Sequence, residues 1–230
     1  MSKLKNKWAL VTGASRGEGR QIAKGLADEG ANLILHARAL DHAVALGERL
    51  AAKGVRVAIV AAELSDMAAL EVMLDEALSV SGRVDILYNN AAIMTPVSKP
   101  FDASPDDYRK SFEVNTIAPI RICNRIIPGM IERGYGRVIN VTSGIKDQPE
   151  LLPYAVSKAA IDKYVRDIIP AVKNTGVLVN LLDPGWLRTD LGGDNAPNPV
   201  ESALPGALVP ALLTEEIQGK LYCAQDFRRP

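Results

Sequence analysis

The sequence predicts a doubly wound α/β domain: one parallel sheet with helices on both faces. Three observations carry this expectation. Short β-branched runs alternate with longer helical stretches, the runs are apolar without period-2 alternation, and glycines punctuate the helix ends. Lys7–Thr12, Asn32–Ala37, Val55–Ala61, Val84–Asn89, Gly136–Thr142 and Gly176–Leu182 read as strands buried on both faces. Among the helices, Gly19–Glu29 places Ile22, Ala23, Leu26 and Ala27 on one face and stops at Gly30. Asp41–Lys53 stops at Gly54, and Asp66–Ser81 at Gly82, in the same manner. Pro105–Arg133 reads as one long helix or two, bent at Pro119 and Pro128 and closed by Gly134. Tyr154–Lys173 completes the set, with Pro170 near its end.

A chain of 230 residues fits one domain with a sizeable core, spanning 1–230. Lys plus Arg balances Asp plus Glu at 27 each, so no global field recruits nucleic acid or an anionic membrane, and any anion site is local. No stretch approaches the ~18 apolar residues of a membrane span. The apolar run after Trp8 is broken too early, by Gly13, to serve as a signal-peptide core. Cys123 and Cys223 lie far apart without CxxC spacing, so the expectation is a reduced, cytoplasmic chain. His36 and His42 lack a ligand cluster, and no metal site is expected. Asp190–Pro210, rich in Gly, Asn and Pro and entered through Thr189, reads as a loop past the carboxyl end of a strand, where open α/β sheets bind ligands.

Thr12-Gly13-Ala14-Ser15-Arg16-Gly17-Glu18-Gly19 lies between the first strand and the first helix. Gly13 permits a tight turn, Gly17 lets backbone approach a pyrophosphate, and Gly19 lets the helix pack on the strand. The helix N-terminus then offers unpaired N–H groups to the anion, as in a Rossmann-type dinucleotide site. A second constellation is Tyr154-Ala155-Val156-Ser157-Lys158. Tyrosine has a pKa near ~10 and shuttles protons poorly at neutral pH unless its phenolate is stabilised. A lysine at i+4 lies on the same helical face, where its ammonium lowers that pKa. Alone the spacing is one that chance supplies; its surroundings make it specific. Ser143 ends a strand just upstream, where its hydroxyl can meet a substrate carbonyl, and Asn115 falls in the long preceding helix.

With these motifs in this order, the chain resembles the short-chain dehydrogenase/reductase family from about Leu4 to Asp190, and more loosely to the C-terminus. The glycine loop is similar to that family's Thr-Gly-x-x-x-Gly-x-Gly, except that Glu18 stands where an apolar residue is usual. A carboxylate there opposes a phosphate site unless its side chain turns away. Glu63-Leu64 resembles the pair that holds the adenine amino group. Asn89-Asn90-Ala91-Ala92 resembles the family's Asn-Asn-Ala-Gly, with Asn89 expected at the cofactor ribose and Ala91 beside it. Asp183-Pro184-Gly185, with Thr189 further on, resembles the Pro-Gly turn that packs near the nicotinamide. The resemblance gives Asn115 a role in holding a helix kink and a water connected to the lysine. Ser143 and Tyr154 stand 11 residues apart, slightly closer than is usual in the family, which leaves Thr142 as the alternative hydroxyl.

The second strand ends Leu35-His36-Ala37-Arg38, with Ala37 where the family's acidic residue would stand. Arg38 follows at once, and Ser15-Arg16 lies in the glycine loop. Two guanidinium groups and no carboxylate imply NADP(H), because arginine matches a 2′-phosphate. The implied reaction is reduction of a carbonyl, or oxidation of the alcohol. Nicotinamide supplies hydride, Ser143 holds the oxygen, Tyr154 moves the proton, Lys158 holds ribose and keeps the tyrosine acidic, and Asn115 passes the proton onward through water. The variable substrate loop, Asp190–Pro210, is short and fits a small-molecule carbonyl or alcohol, with Trp186 as an apolar wall or as packing. A 3-oxoacyl-carrier-protein reductase would need a basic patch at the pocket mouth, for which Arg125, Arg133 and Arg166 are candidates. Gln218–Tyr222 resembles the family's last strand, while Asp226–Pro230 lacks its usual glycine-rich finish. The implied assembly is a homodimer through Pro105–Arg133 and Tyr154–Lys173, or a homotetramer. Two other classes stand beside the reductase. A non-enzymatic NADP(H)-binding sensor on the same fold would not need both Tyr154 and Lys158, and an extended-branch dehydratase or epimerase would need a different glycine pattern and a longer substrate domain.

Overall fold

The computed structural model of the protein describes residues 2–99 and 101–228. The strands are β1 (Trp8–Val11), β2 (Asn32–Ala37), β3 (Val57–Ala61), β4 (Ile86–Asn89), β5 (Gly136–Val141), β6 (Val177–Asp183) and β7 (Leu221–Cys223). They form one sheet in the order β3-β2-β1-β4-β5-β6-β7, and every pairing is parallel. All six residues of β2 and of β5 are buried, which is why these runs show no alternation. The helices are α1 (Gly17–Asp28), α2 (Asp41–Ala51), α3 (Met67–Ser81), α4 (Pro105–Phe112), α5 (Ala118–Glu132) and α6 (Leu152–Val172).

The core has two halves, one on each face of the sheet. Ile22 and Leu26 of α1 and Leu46 and Leu50 of α2 fill one. Leu70 and Leu74 of α3, Ile122 and Ile126 of α5, and Val165 and Val172 of α6 fill the other. After β3 the chain crosses back over β1 to lay β4 on its other edge, so the order reverses between β1 and β4. A crevice opens there, above the carboxyl ends of the strands.

Three elements differ from the sequence reading. The Pro105–Arg133 stretch is two helices joined by a π-helical turn, Glu113–Ile117, and α5 runs on through Pro128 without a break. Asp190–Pro210 is not loop throughout. Val200–Ala203 and Gly206–Ala211 are 3₁₀ turns, and Ala203, Ala207, Leu208 and Ala211 are buried in the core beside α1. The exposed substrate-loop reading therefore narrows to the stretch before Pro199. The last strand is only Leu221–Cys223, paired to Leu181–Asp183 of β6. Within the sequence's C-terminal ending, Arg229 and Pro230 lie outside the described residues. No helix among the described residues is long and apolar enough to cross a membrane.

Candidate active site

The glycine loop joins β1 to α1 at the switch point and is held by the end of β4. Thr12 Oγ1 accepts from the N–H groups of Asn90 (2.9 Å) and Ala91 (3.0 Å), and the Asn90 amide donates to the Thr12 carbonyl (2.8 Å). Gly13 and Gly17 adopt left-handed conformations, φ 66° and 56°, which a side chain disfavours. A Cβ on Gly19 would collide with the Gly13 carbonyl oxygen and the Asn90 amide, so helix and loop touch backbone to backbone. Arg16, the N-cap of α1, makes no side-chain cap, which leaves the first-turn N–H groups to an anion. Ser15 lies in this turn, and its carbonyl accepts from the Arg20 guanidinium. His36, at the end of β2, completes the support. Its Nδ1 accepts from the Gly13 N–H (3.2 Å) while Nε2 faces the Ala62 carbonyl (3.1 Å), so the ring is neutral with its proton on Nε2.

Opposite the loop, α6 begins at Leu152 and presents Tyr154 and Lys158, one turn apart and both buried. Burial pushes the Tyr154 phenol up to about 12. A hydrogen bond with the Ser143 hydroxyl opposes the rise, and the charges of Glu18 and Asp183 add to it. Ser143 thus stands beside Tyr154 despite the short separation. Thr142 projects to the other side of the strand end, as alternation requires, and its hydroxyl interacts with Asp162. Lys158 donates to the Val141 carbonyl (2.8 Å), and burial lowers its pKa to about 8 against the charges of Glu18 and Asp162. The expectation that Lys158 makes Tyr154 acidic is corrected. Its Nζ is 5.8 Å from the centre of the tyrosine ring and bonded elsewhere, while burial and the charges of Glu18 and Asp183 raise the phenol. Tyr154 is therefore a protonated donor at neutral pH.

Asn115 lies on the π-helical turn, fully inside the protein. Its Oδ1 accepts from the Ile93 N–H (2.9 Å), and its Nδ2 donates to the Ile93 carbonyl (2.9 Å) and to Ser157 Oγ (3.0 Å). Ser157 in turn donates to the Tyr154 carbonyl (2.7 Å). Pro119 lacks the N–H that an α-helix would direct at the Asn115 carbonyl, so the α-helical ladder is interrupted here, whereas α5 continues through Pro128. Asn89 is a second correction. Its side chain turns into the core, where Nδ2 donates to Asn140 Oδ1 (2.9 Å) and Cys123 Sγ (3.3 Å), and Asn90 is the one that reaches the glycine loop.

Glu18 does not turn away from the site. Its Oε1 is sealed from solvent without a hydrogen-bond partner, and burial raises the carboxyl to about 8, opposed by Lys158 and reinforced by Asp183. Burial thus favours the uncharged acid, which weakens the electrostatic objection to its place in the loop.

The remaining sequence candidates lie at or just past the carboxyl ends of the strands and in the segment after β6. Arg38 and Glu63 are exposed past the ends of β2 and β3, while the Leu64 side chain belongs to the core. Arg16 pairs with Asp190 at 2.6 Å, an exposed pair of the kind worth about 0–1 kcal/mol. Pro184 and Gly185 follow β6, where the Pro184 carbonyl accepts from Gln225 (2.6 Å) and Gly185 has φ 79°. Thr189 lies against Gly17, and its hydroxyl accepts from the Gly192 N–H (3.1 Å). Trp186 is exposed, its indole N–H donating to the Gly192 carbonyl (2.7 Å). Two of the three arginines considered for a basic patch are engaged elsewhere, while Arg166 lies near Asp162 of α6. Arg125 pairs with Asp75 of α3, and Arg133 holds the Val84 carbonyl at the opposite end of the sheet. The supporting roles of His36 and Ser157 carry no sequence signal of their own, because they include hydrogen bonds to residues distant in the chain; Asn90 lies within a motif legible in the sequence, but its role there is not.

Comparison with known proteins agrees with this architecture. Residues 7–199 match the family model described as short chain dehydrogenase. Oxidoreductase UcpA of Salmonella typhimurium is 34% identical over 83% of this chain and 73% of its own length. Among solved structures, a gluconate 5-dehydrogenase from Burkholderia cenocepacia in complex with NADP and tartrate has a TM-score of 0.84 and 26% identity, covering 96% of this chain and 94% of that one. A 3-oxoacyl (acyl-carrier-protein) reductase from Agrobacterium tumefaciens with NADP bound has a TM-score of 0.85 and 27% identity, covering 96% and 93%. With a family match across most of its length, and with the glycine loop, tyrosine and lysine arranged around one crevice, the chain belongs to the short chain dehydrogenase family.

Proposed function

We propose that the protein is an NADP(H)-dependent oxidoreductase that reduces a carbonyl to an alcohol, or runs the reverse, with Tyr154 as proton donor. The observation that carries the reading is the convergence of Ser143, Tyr154 and Lys158 beside a three-glycine loop at the switch point. The residues fit the cofactor. The loop carries no side chain where Gly17 and Gly19 stand, the N-terminus of α1 is uncapped, and Arg16 of the loop and Arg38 past the end of β2 are exposed, with no carboxylate at Ala37. Similar proteins solved with NADP lend the same support.

When bound, the reduced nicotinamide supplies hydride to the carbonyl carbon. Ser143 and Tyr154 hold the carbonyl oxygen, and Tyr154 gives up its proton as negative charge develops there. Burial, which keeps the phenol protonated, suits it to that direction. Lys158 holds ribose hydroxyls, and its lowered pKa readies it to return a proton to the tyrosine. Asn115 fixes the start of α6 through Ser157, whose hydroxyl donates to the Tyr154 carbonyl. Pro184, Gly185 and Thr189 flank the nicotinamide end, while Glu63, Leu64, Ala91 and Ser15 flank the rest of the cofactor. The exposed stretch around Trp186 and Leu191 bounds an open site for a small or medium carbonyl. We further assign the protein to the cytoplasm as a homo-oligomer, a dimer or tetramer, joined through the outer faces of α5 and α6. An apolar cleft lined by Cys123, Ile127, Pro128 and Ile168 supports that face.

A carbonyl panel assayed with NADPH and NADH side by side tests the reading. Tyr154→Phe is expected to lower kcat by about 10²–10⁴-fold while leaving NADPH binding intact. Wild-type turnover by that variant would overturn the assignment of Tyr154. A preference for NADH would overturn the reading of Arg16 and Arg38.

A further inference from the structure

The proposed chemistry has no use for a carboxyl at Glu18, yet the fold places one at its centre. Glu18 is the second residue of α1, between Gly17 and Gly19 of the turn that offers its N–H groups to an anion. The groups facing it are Lys158 and Tyr154 from α6, Asp183 from the end of β6, and Tyr88 from β4. Each is committed to another partner. Lys158 donates to the Val141 carbonyl (2.8 Å), the Tyr88 hydroxyl donates to the Ala207 carbonyl (2.7 Å), Asp183 accepts from the Gly185 N–H (2.9 Å), and Tyr154 faces Ser143. Oε1 is left sealed and unbonded. A half-buried carboxyl with one oxygen sealed and unbonded is tolerable while neutral and costly once ionised. Ionised, it would set a negative charge at the positive end of α1 and offer Lys158 a stronger partner than the Val141 carbonyl.

We propose that Glu18 is a positioning residue that sets cofactor affinity through its protonation. Neutral, it leaves the α1 N-terminus to a pyrophosphate and Lys158 to a ribose; ionised, it repels the pyrophosphate and draws Lys158 to itself. The inference rests on the NADP(H) reading above. Because burial holds the carboxyl up to about 8, the neutral form prevails at neutral pH and the carboxylate takes over in the mildly alkaline range. Affinity is therefore highest below that value and falls as pH rises through it.

The test is NADPH binding to the full chain, followed by cofactor fluorescence without substrate, from about pH 7 to 9.5. The cofactor's own phosphate, with a pKa of about 6, is ionised throughout that range and is common to all the proteins compared. Wild-type Kd is expected to rise about tenfold more across the range than the Kd of Glu18→Gln, which keeps the shape and removes the titration. Glu18→Leu serves as a second variant, and thermal melts confirm that each is folded. Parallel curves for wild type and either folded variant would overturn the role of Glu18 while leaving the cofactor reading standing. If neither variant folds, a flat wild-type Kd overturns the inference, and Lys158→Arg, which keeps its charge across the range, separates the two titrations: a Kd that still rises supports Glu18, and a flat one overturns it. A wild-type protein that binds no NADPH at pH 7 would overturn the cofactor reading and this inference with it.

Discussion

The N–H of Gly13 donates to Nδ1 of His36, whose Nε2 faces the Ala62 carbonyl, so one imidazole ties the cofactor loop to the ends of two neighbouring strands. The bond requires a neutral ring, since a proton on Nδ1 would point a donor at a donor. Burial lowers the His36 pKa below its ordinary 6.5, with the Ala62 hydrogen bond and the charge of Glu63 opposing. Between the lowered value and 6.5 the unfolded chain binds the proton that the folded chain refuses. The stability contributed by neutral His36 is thus complete above 6.5 and is lost as pH falls toward the folded value. His36→Ala should cost about 2–3 kcal/mol in denaturant titrations near pH 7.5, from the lost packing and the unpaired Gly13 N–H. The difference from wild type should shrink as the titrations are repeated toward pH 5. A difference that stayed constant over that range would show that the ring is not held neutral by the loop.

At the scale of elements, the π-helical turn Glu113–Ile117 does what neither α4 nor α5 does alone, bringing Asn115 to both the Ile93 segment and α6. Three side-chain hydrogen bonds meet in one buried amide. Asn115→Ala leaves the Ile93 N–H and carbonyl unpaired and should destabilise the protein by about 2–4 kcal/mol. It should also lower kcat more than it raises KM, because the loosened Ser157 no longer steadies the first turn of α6. A stable variant with unchanged kcat would refute both roles. This element also shows what the sequence can and cannot disclose. The strands and glycine-capped helices are legible because burial on two faces and left-handed stops leave marks in composition. The glycine loop and the Tyr154–Lys158 pair are legible because their chemistry requires set residue types at set intervals. The π turn is not, since its residues suit an α-helix and only the missing N–H of Pro119 hints at the defect. The inward turn of Asn89 and the choice of Ser143 over Thr142 depend on which way a strand end faces, and a one-residue shift reverses that.

For the whole molecule, the segment between β6 and β7 decides how one half of the core is closed. Its Gly, Pro and Asn content reads as a loop, but Val200–Ala203 and Gly206–Ala211 are 3₁₀ turns packed into the core on the α1 side of the sheet. Gly25 of α1 leaves room for this, since a Cβ there would strike the Leu208 side chain, and the Tyr88 hydroxyl donates to the Ala207 carbonyl from the centre of the sheet. Leu208 is 6% exposed, whereas Leu191, in the preceding stretch, is 39% exposed. The two leucines therefore separate a core position from an exposed one. Leu208→Ala should cost about 2–4 kcal/mol from lost transfer energy and a residual cavity, whereas Leu191→Ala should stay within about 0.5 kcal/mol. Urea titrations should show the Leu208 variant unfolding earlier with the wild-type m-value, as expected if the segment melts with the domain and not before it. Its cofactor affinity should be preserved, while Leu191→Ala should change KM for bulky carbonyls at unchanged stability. Equal stability of the two variants would mean that the segment is a dispensable cover, with the core on the α1 side closed by other residues.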